Sequence, residues 1–195
     1  MKKAVIDEQN RHLIRQQELF RKAADVVVRA WKPFEEVQAI AVVGSVAGPL
    51  WKEVPRFREF RRARIEVWHE CGDLDIALWL DSQDRLEDLR RAKDRCLREA
   101  NESGEDVSTP GNLVDTFLFE PESGRYLGRL CRYNECPKGK ADCEVPGCGR
   151  IPFNKKIPEF VPYADLLNQA RTNLLYERTQ GVLRSALELP PTPQS

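Results

Sequence analysis

Apolar residues recur at helical steps through residues 4–32. Leu13, Phe20, Ala24, Val27 and Trp31 lie three, four and seven positions apart, which predicts a long amphipathic helix with one face on a core. Pro33 follows and stops it. Val37 to Val43 (VQAIAVV) is short, apolar and β-branched, and it runs into Gly44-Ser45. That pattern predicts a buried strand ending in a turn. Asp73 to Asp81 (DLDIALWLD) alternates strictly: Leu74, Ile76, Leu78 and Leu80 share one side, and Asp73, Asp75, Ala77, Trp79 and Asp81 share the other. This is a half-buried strand with its acidic residues crowded at the start.

Residues 84–102 read as a charged amphipathic helix carrying Leu86, Leu89, Cys96 and Leu97, with Cys96 buried. Residues 103–111 read as a loop. Asn112 to Glu120 (NLVDTFLFE) is a third strand, with Leu113, Asp115, Phe117 and Phe119 on one face. Residues 121–162 are rich in Gly, Pro and Cys and show no period. A final helix is expected over 163–187, through Leu166, Leu167, Ala170, Leu174 and Leu175, and residues 188–195 are expected to be a disordered tail.

The 195 residues suit one domain with a small appended module. Hydrophobic residues make up 41% and charged residues 32%, enough for a real core. Lys plus Arg equals Asp plus Glu at 31 each, so a basic coat for nucleic acid is excluded as a global feature. No segment approaches the roughly 20 apolar residues that span a bilayer, so no membrane partner is expected. The start, MKKAVIDEQN, has no apolar stretch behind its lysines and does not read as a signal peptide. The expectation is a cytoplasmic protein, whose six cysteines are thiols or metal ligands before they are disulfides.

The candidate chemistry lies in the carboxylates. Residues i and i+2 of a strand point the same way, about 6.5–7 Å apart, so Asp73 and Asp75 aim at one spot. With Asp115 from another strand they form an oxygen platform suited to Mg²⁺. Such a platform serves two-metal phosphoryl or nucleotidyl transfer. Gly44-Ser45 adds backbone N–H groups and a hydroxyl, a natural phosphate cradle at a helix start. Asp115 also has a purely structural reading, as a strand residue paired with an arginine.

GSVAG followed by DLDIALWL resembles the signature of the DNA polymerase beta superfamily of nucleotidyltransferases, especially its minimal bacterial members. The resemblance covers roughly residues 37–120. It implies an α+β fold: a nucleotidyltransferase-like mixed sheet with helices packed on one face. It implies that Gly44 and Ser45 contact the nucleotide phosphates and that Asp73 and Asp75 bind Mg²⁺. Asp115 is then the third carboxylate and the base. The substrate would be a nucleoside triphosphate, ATP first. Two features set this chain apart. The 27 residues between Ser45 and Asp73 exceed the spacing of minimal members, and the turn continues as Val46-Ala47-Gly48-Pro49.

The extra length, residues 49–70, is an Arg-rich insertion. Lys52, Arg56, Arg58, Arg61, Arg62 and Arg64 outweigh Glu53 and Glu59, and a short helix is expected after Pro55. Arg61 and Arg62 are candidates to grip a triphosphate, against a solvated helix whose arginines pair locally. Cys131, Cys136, Cys143 and Cys148 form C-x4-C-x6-C-x4-C within residues 121–162. Four thiolates in so short and polar a segment suit a structural Zn²⁺; disulfides, an iron–sulfur cluster or plain thiols stay open. His69 and Cys71, just before Asp73, are candidates to line the cleft.

Two functional readings follow. One is a Mg²⁺-dependent enzyme moving a nucleoside monophosphate from an NTP to an acceptor hydroxyl. The other is a non-catalytic protein- or nucleic-acid-binding module with zinc in its cysteine knob. The acceptor is not legible, and a homodimer is compatible with either.

Overall fold

The computed structural model describes residues 3–50, 62, 68, 70–132, 151–155, 161–162 and 164–190. Its frame is one seven-stranded sheet: β1 (Val37–Val43), β2 (Leu74–Leu80), β3 (Val114–Phe119), β4 (Tyr126–Leu130), β5 (Asn154–Lys155), β6 (Leu174–Glu177) and β7 (Gly181–Val182). The spatial order is β5-β4-β3-β2-β1-β6-β7. All neighbours pair antiparallel except β2 and β3, which are parallel. A parallel pair needs a crossover, and α2 (Leu86–Glu102) supplies it. The fold is thus α+β with a mixed sheet.

The strict alternation of β2 sorts its side chains as the sequence predicts. Leu74, Ile76, Leu78 and Leu80 enter a large core with α1 (Lys3–Trp31) and α2. Leu13, Phe20, Ala24, Val27 and Trp31 are all buried there. The Trp31 indole donates to the Leu89 carbonyl at 2.8 Å and ties α1 to α2. Cys96 is only partly buried, not a core residue.

Three expectations are corrected. The helices do not share one face: Leu166 and Ala170 of the short α3 (Ala164–Thr172) pack with Ala41, Val43, Ala77, Trp79 and Phe119 on the opposite face. The helix expected over 163–187 ends at Thr172, because Leu174, Leu175 and Tyr176 pair with β1 instead. A free edge on β1 outweighed helical spacing. The tail does not begin at 188. Leu189 is buried, and the carbonyls of Leu189 and Pro190 each accept from the Arg21 guanidinium at 2.9 Å. Residues 191–195 lie outside the described set. The sheet also runs past residue 120, since β4 and β5 extend it and Leu130 and Phe153 join the main core.

Candidate functional site

Three strands deliver the site. β1 ends at Val43, opposite Asp75 of β2, and Gly44 follows at once. Across the parallel pair, Asp75 faces Asp115. Asp73 stands immediately before β2, two residues from Asp75. One oxygen from each of Asp73, Asp75 and Asp115 lies within 4.8 Å of the others. Strand register sets Asp75 beside Asp115, and Asp73 joins them from the bend just before β2.

Gly44 is required here by conformation and by space. Its φ is +71°, a left-handed value that favours glycine. A Cβ there would come within 2.5 Å of the Asp75 carboxylate oxygen. Gly44 through Val46 form a single 3-10 turn where the sequence reading placed a helix start; Pro49 follows closely.

The electrostatics follow from crowding. Burial, then the carboxylates of Asp73 and Asp115, push the Asp75 carboxyl up to about 7, while Arg129 and Arg132 pull the other way. Like charges brought this close disfavour their own ionisation. A divalent cation relieves that repulsion, and three hard carboxylate donors suit Mg²⁺ or Mn²⁺. The donor set therefore fits a divalent metal.

Asp115 carries a second set of partners. Arg129 of β4 donates to Asp115 Oδ2 at 2.9 Å. Arg132 donates to Asp115 Oδ1 from Nε at 2.8 Å, with its terminal nitrogen 2.6 Å from the same oxygen. Arg129 pairs across the sheet with Phe117, so it shares the face that Phe117 and Asp115 present. The arginine-paired reading of Asp115 and the carboxylate platform thus hold together in one site. Below it, buried Lys93 of α2 donates to the Gly111 carbonyl at 2.6 Å and pairs with Asp94 at 3.0 Å. This contact fixes the turn that leads into β3.

The Gly44-Ser45 turn is held from α1. Gln17 donates to the Gly48 carbonyl at 2.6 Å and the Ser45 carbonyl at 3.2 Å. Arg21 donates to the Val46 carbonyl at 3.0 Å. Cys71 is buried and hydrogen-bonds Ser45; burial pushes its thiol up. It supports the turn as a neutral thiol rather than serving as a nucleophile.

Gly44, Ser45, Asp73, Asp75 and Asp115 are therefore brought together as the sequence suggested. Arg62 is exposed, while Arg61, the expected helix after Pro55 (Arg62 apart) and His69 lie outside the described residues. So do Cys136, Cys143 and Cys148, which leaves the zinc expectation outside them too. Of that set only Cys131 is described: it is buried, and its amide donates to the Phe153 carbonyl at 2.8 Å. Sequence reasoning missed Gln17, Arg21, Lys93, Arg129 and Arg132. Gln17 left a signal, since it falls four residues after Leu13 on the apolar stripe of α1. A hollow of about 480 Å³ along α1 near Arg11, Arg15 and Trp68 touches none of Asp73, Asp75 and Asp115. No helix among the described residues is long and apolar enough to cross a membrane. Comparison with family models, curated proteins and solved structures gives no match for this chain.

Proposed function

We propose that this chain is a Mg²⁺-dependent nucleotidyltransferase that moves a nucleoside monophosphate from an NTP to an acceptor hydroxyl. The observation that carries the reading is the meeting of Asp73, Asp75 and Asp115 beside the left-handed Gly44 turn. Asp73 and Asp75, with Asp115, would hold the metal. Bound there, Mg²⁺ supplies charge neutralisation for the triphosphate and lowers the pKa of the attacking hydroxyl. Gly44 and Ser45 offer backbone N–H groups to phosphate oxygens, and Gln17 and Arg21 keep that turn from shifting. Orientation of the phosphates against a fixed turn accounts for much of such catalysis. Asp115 would be the third carboxylate and the base, and Arg129 and Arg132 stand on its two oxygens.

That pairing favours a second reading: a binding module of the same architecture, in which arginines have taken over the third carboxylate and no transfer occurs. Calorimetric titration with an ATP analogue non-hydrolysable between the α and β phosphates separates them from a plain globular protein. Binding should require Mg²⁺ and fall at least about 100-fold in Asp73→Asn/Asp75→Asn, the loss expected when charge-assisted contacts are removed. Equal affinity in that variant, or none for any NTP, removes the nucleotide from both readings.

A further inference from the structure

The oxygens of Asp115 are shared before any metal arrives. Both accept from guanidinium groups, and Asp115 is 7% exposed. Counted as fully ionised, three carboxylates and two guanidiniums leave the cluster a formal charge of only −1. A bare divalent ion approaching it meets two half-buried carboxylates and a third already neutralised. A nucleoside triphosphate changes that balance. It is a polyanion, and Arg prefers phosphate oxygens in the same forked geometry that it uses on carboxylates. The two arginines hold Asp115, whose carboxylate lies beside Asp75, and Asp75 in turn lies against the Gly44 turn.

We propose that Arg129 and Arg132 are an exchangeable clasp. Without nucleotide they hold Asp115 and weaken metal binding. With nucleotide they turn to the polyphosphate and release Asp115 to the metal. This deepens the nucleotidyl-transfer reading and rests on it. Its consequence is thermodynamic: metal and nucleotide bind with positive coupling, and each raises the affinity for the other by the same factor. Arg129 stands on the sheet and is 13% exposed, while Arg132 is 32% exposed and lies just beyond β4. Arg132 is therefore the freer of the two to swing, and Arg129 the anchor. The clasp also gives the metal-free protein a satisfied Asp115, which an unpaired buried carboxylate would not be.

The test is Mn²⁺ binding, followed by electron paramagnetic resonance, to the wild type, Arg132→Gln and Arg129→Gln/Arg132→Gln. Each is titrated with and without the same ATP analogue. Thermal melts show which variants are folded, and Arg132→Gln, the more exposed change, serves if the double variant is not. In the wild type the analogue should raise Mn²⁺ affinity by about 5- to 150-fold, the usual range of coupling between sites. In the variants, Mn²⁺ alone should bind about tenfold tighter than to wild type, the analogue should bind more weakly, and the coupling should shrink. Loss of a guanidinium charge tightens Mn²⁺ binding by Coulomb attraction alone, so the clasp is told from a merely structural role by the weaker analogue binding and the shrunken coupling. A folded variant that keeps the wild-type coupling overturns it. Unchanged or weaker Mn²⁺ affinity in a folded variant overturns the clasp while leaving the nucleotidyltransferase reading standing. No Mn²⁺ binding by any form, with or without analogue, overturns both.

Discussion

The two faces of the sheet are built from the same strands and have opposite characters. One is closed. Leu74, Ile76, Leu78 and Leu80 of β2 lie with Val37, Ile40 and Val42 of β1 beneath α1 and α2. The other is divided along its length. At one end Asp75 and Asp115 crowd with Arg129 and Arg132; further along, Ala77, Trp79 and Phe119 pack under the short α3. The closed face is fixed by burial alone, where each large side chain adds to stability. The divided face keeps charges that burial opposes, and the strain appears in Asp75. Of the described carboxylates on this face, Asp115 is paired with two arginines, whereas Asp75 is opposed by both burial and its neighbours. That contrast separates a core from a site without appeal to any relative.

The contrast can be broken from either side. The largest effect belongs to the closed face. Leu78 is fully buried, so Leu78→Ala should cost about 2–5 kcal/mol in urea unfolding. If it folds, its Mn²⁺ affinity should stay near that of the wild type. A loss of metal binding in proportion to stability would mean that the two faces are not separable.

The opposite sign is expected on the divided face. An acid with a raised folded pKa binds more protons when folded. Its contribution to stability is greatest below its ordinary value of 3.8 and is lost as pH rises through about 7. In chelator, Asp75→Asn should therefore be more stable than wild type at pH 8, on the order of 1–3 kcal/mol, with little difference at pH 4. Urea melts at both pH values measure this. Added Mn²⁺ should stabilise the wild type at pH 8 and leave Asp75→Asn nearly unmoved. A variant less stable than wild type at pH 8 would make Asp75 a structural residue.

A stability effect of similar size is expected at the turn after β1. Gly44→Ala adds a side chain to a left-handed residue against Asp75. It should cost about 1–3 kcal/mol while weakening Mn²⁺ binding more than that loss suggests, because the Cβ displaces a ligand carboxylate. An Ala variant with intact metal binding would show that the turn is not part of the site.

The pattern of the chain carried most of the core and half of the site. Period-two alternation in DLDIALWLD separates Leu74, Ile76, Leu78 and Leu80 from Asp75, Ala77 and Trp79, because a strand has only two faces. The α1 stripe from Leu13 to Trp31 is legible for the same kind of reason. The ends of the chain were not. Leu166, Ala170 and Leu174 keep helical spacing, yet Leu174 to Glu177 form β6, since only the folded sheet offers β1 an empty edge. β4 is five residues interrupted by Gly128, too short for its alternation to be seen.

Sequence by itself determined that carboxylates would stand at the start of an alternating strand after a Gly-Ser turn, because those are local facts of spacing; that the strand is buried on both faces, not half-buried, it did not show. Tertiary structure alone decided what surrounds them. The parallel register that sets Asp115 beside Asp75 depends on the α2 crossover. The arginines on Asp115 arrive from a strand and a following residue 14 and 17 positions later. The Gly-Ser turn is braced by Gln17 and Arg21, more than 20 residues before it in sequence. Electrostatic partners are chosen by distance in space, which no period along the chain encodes.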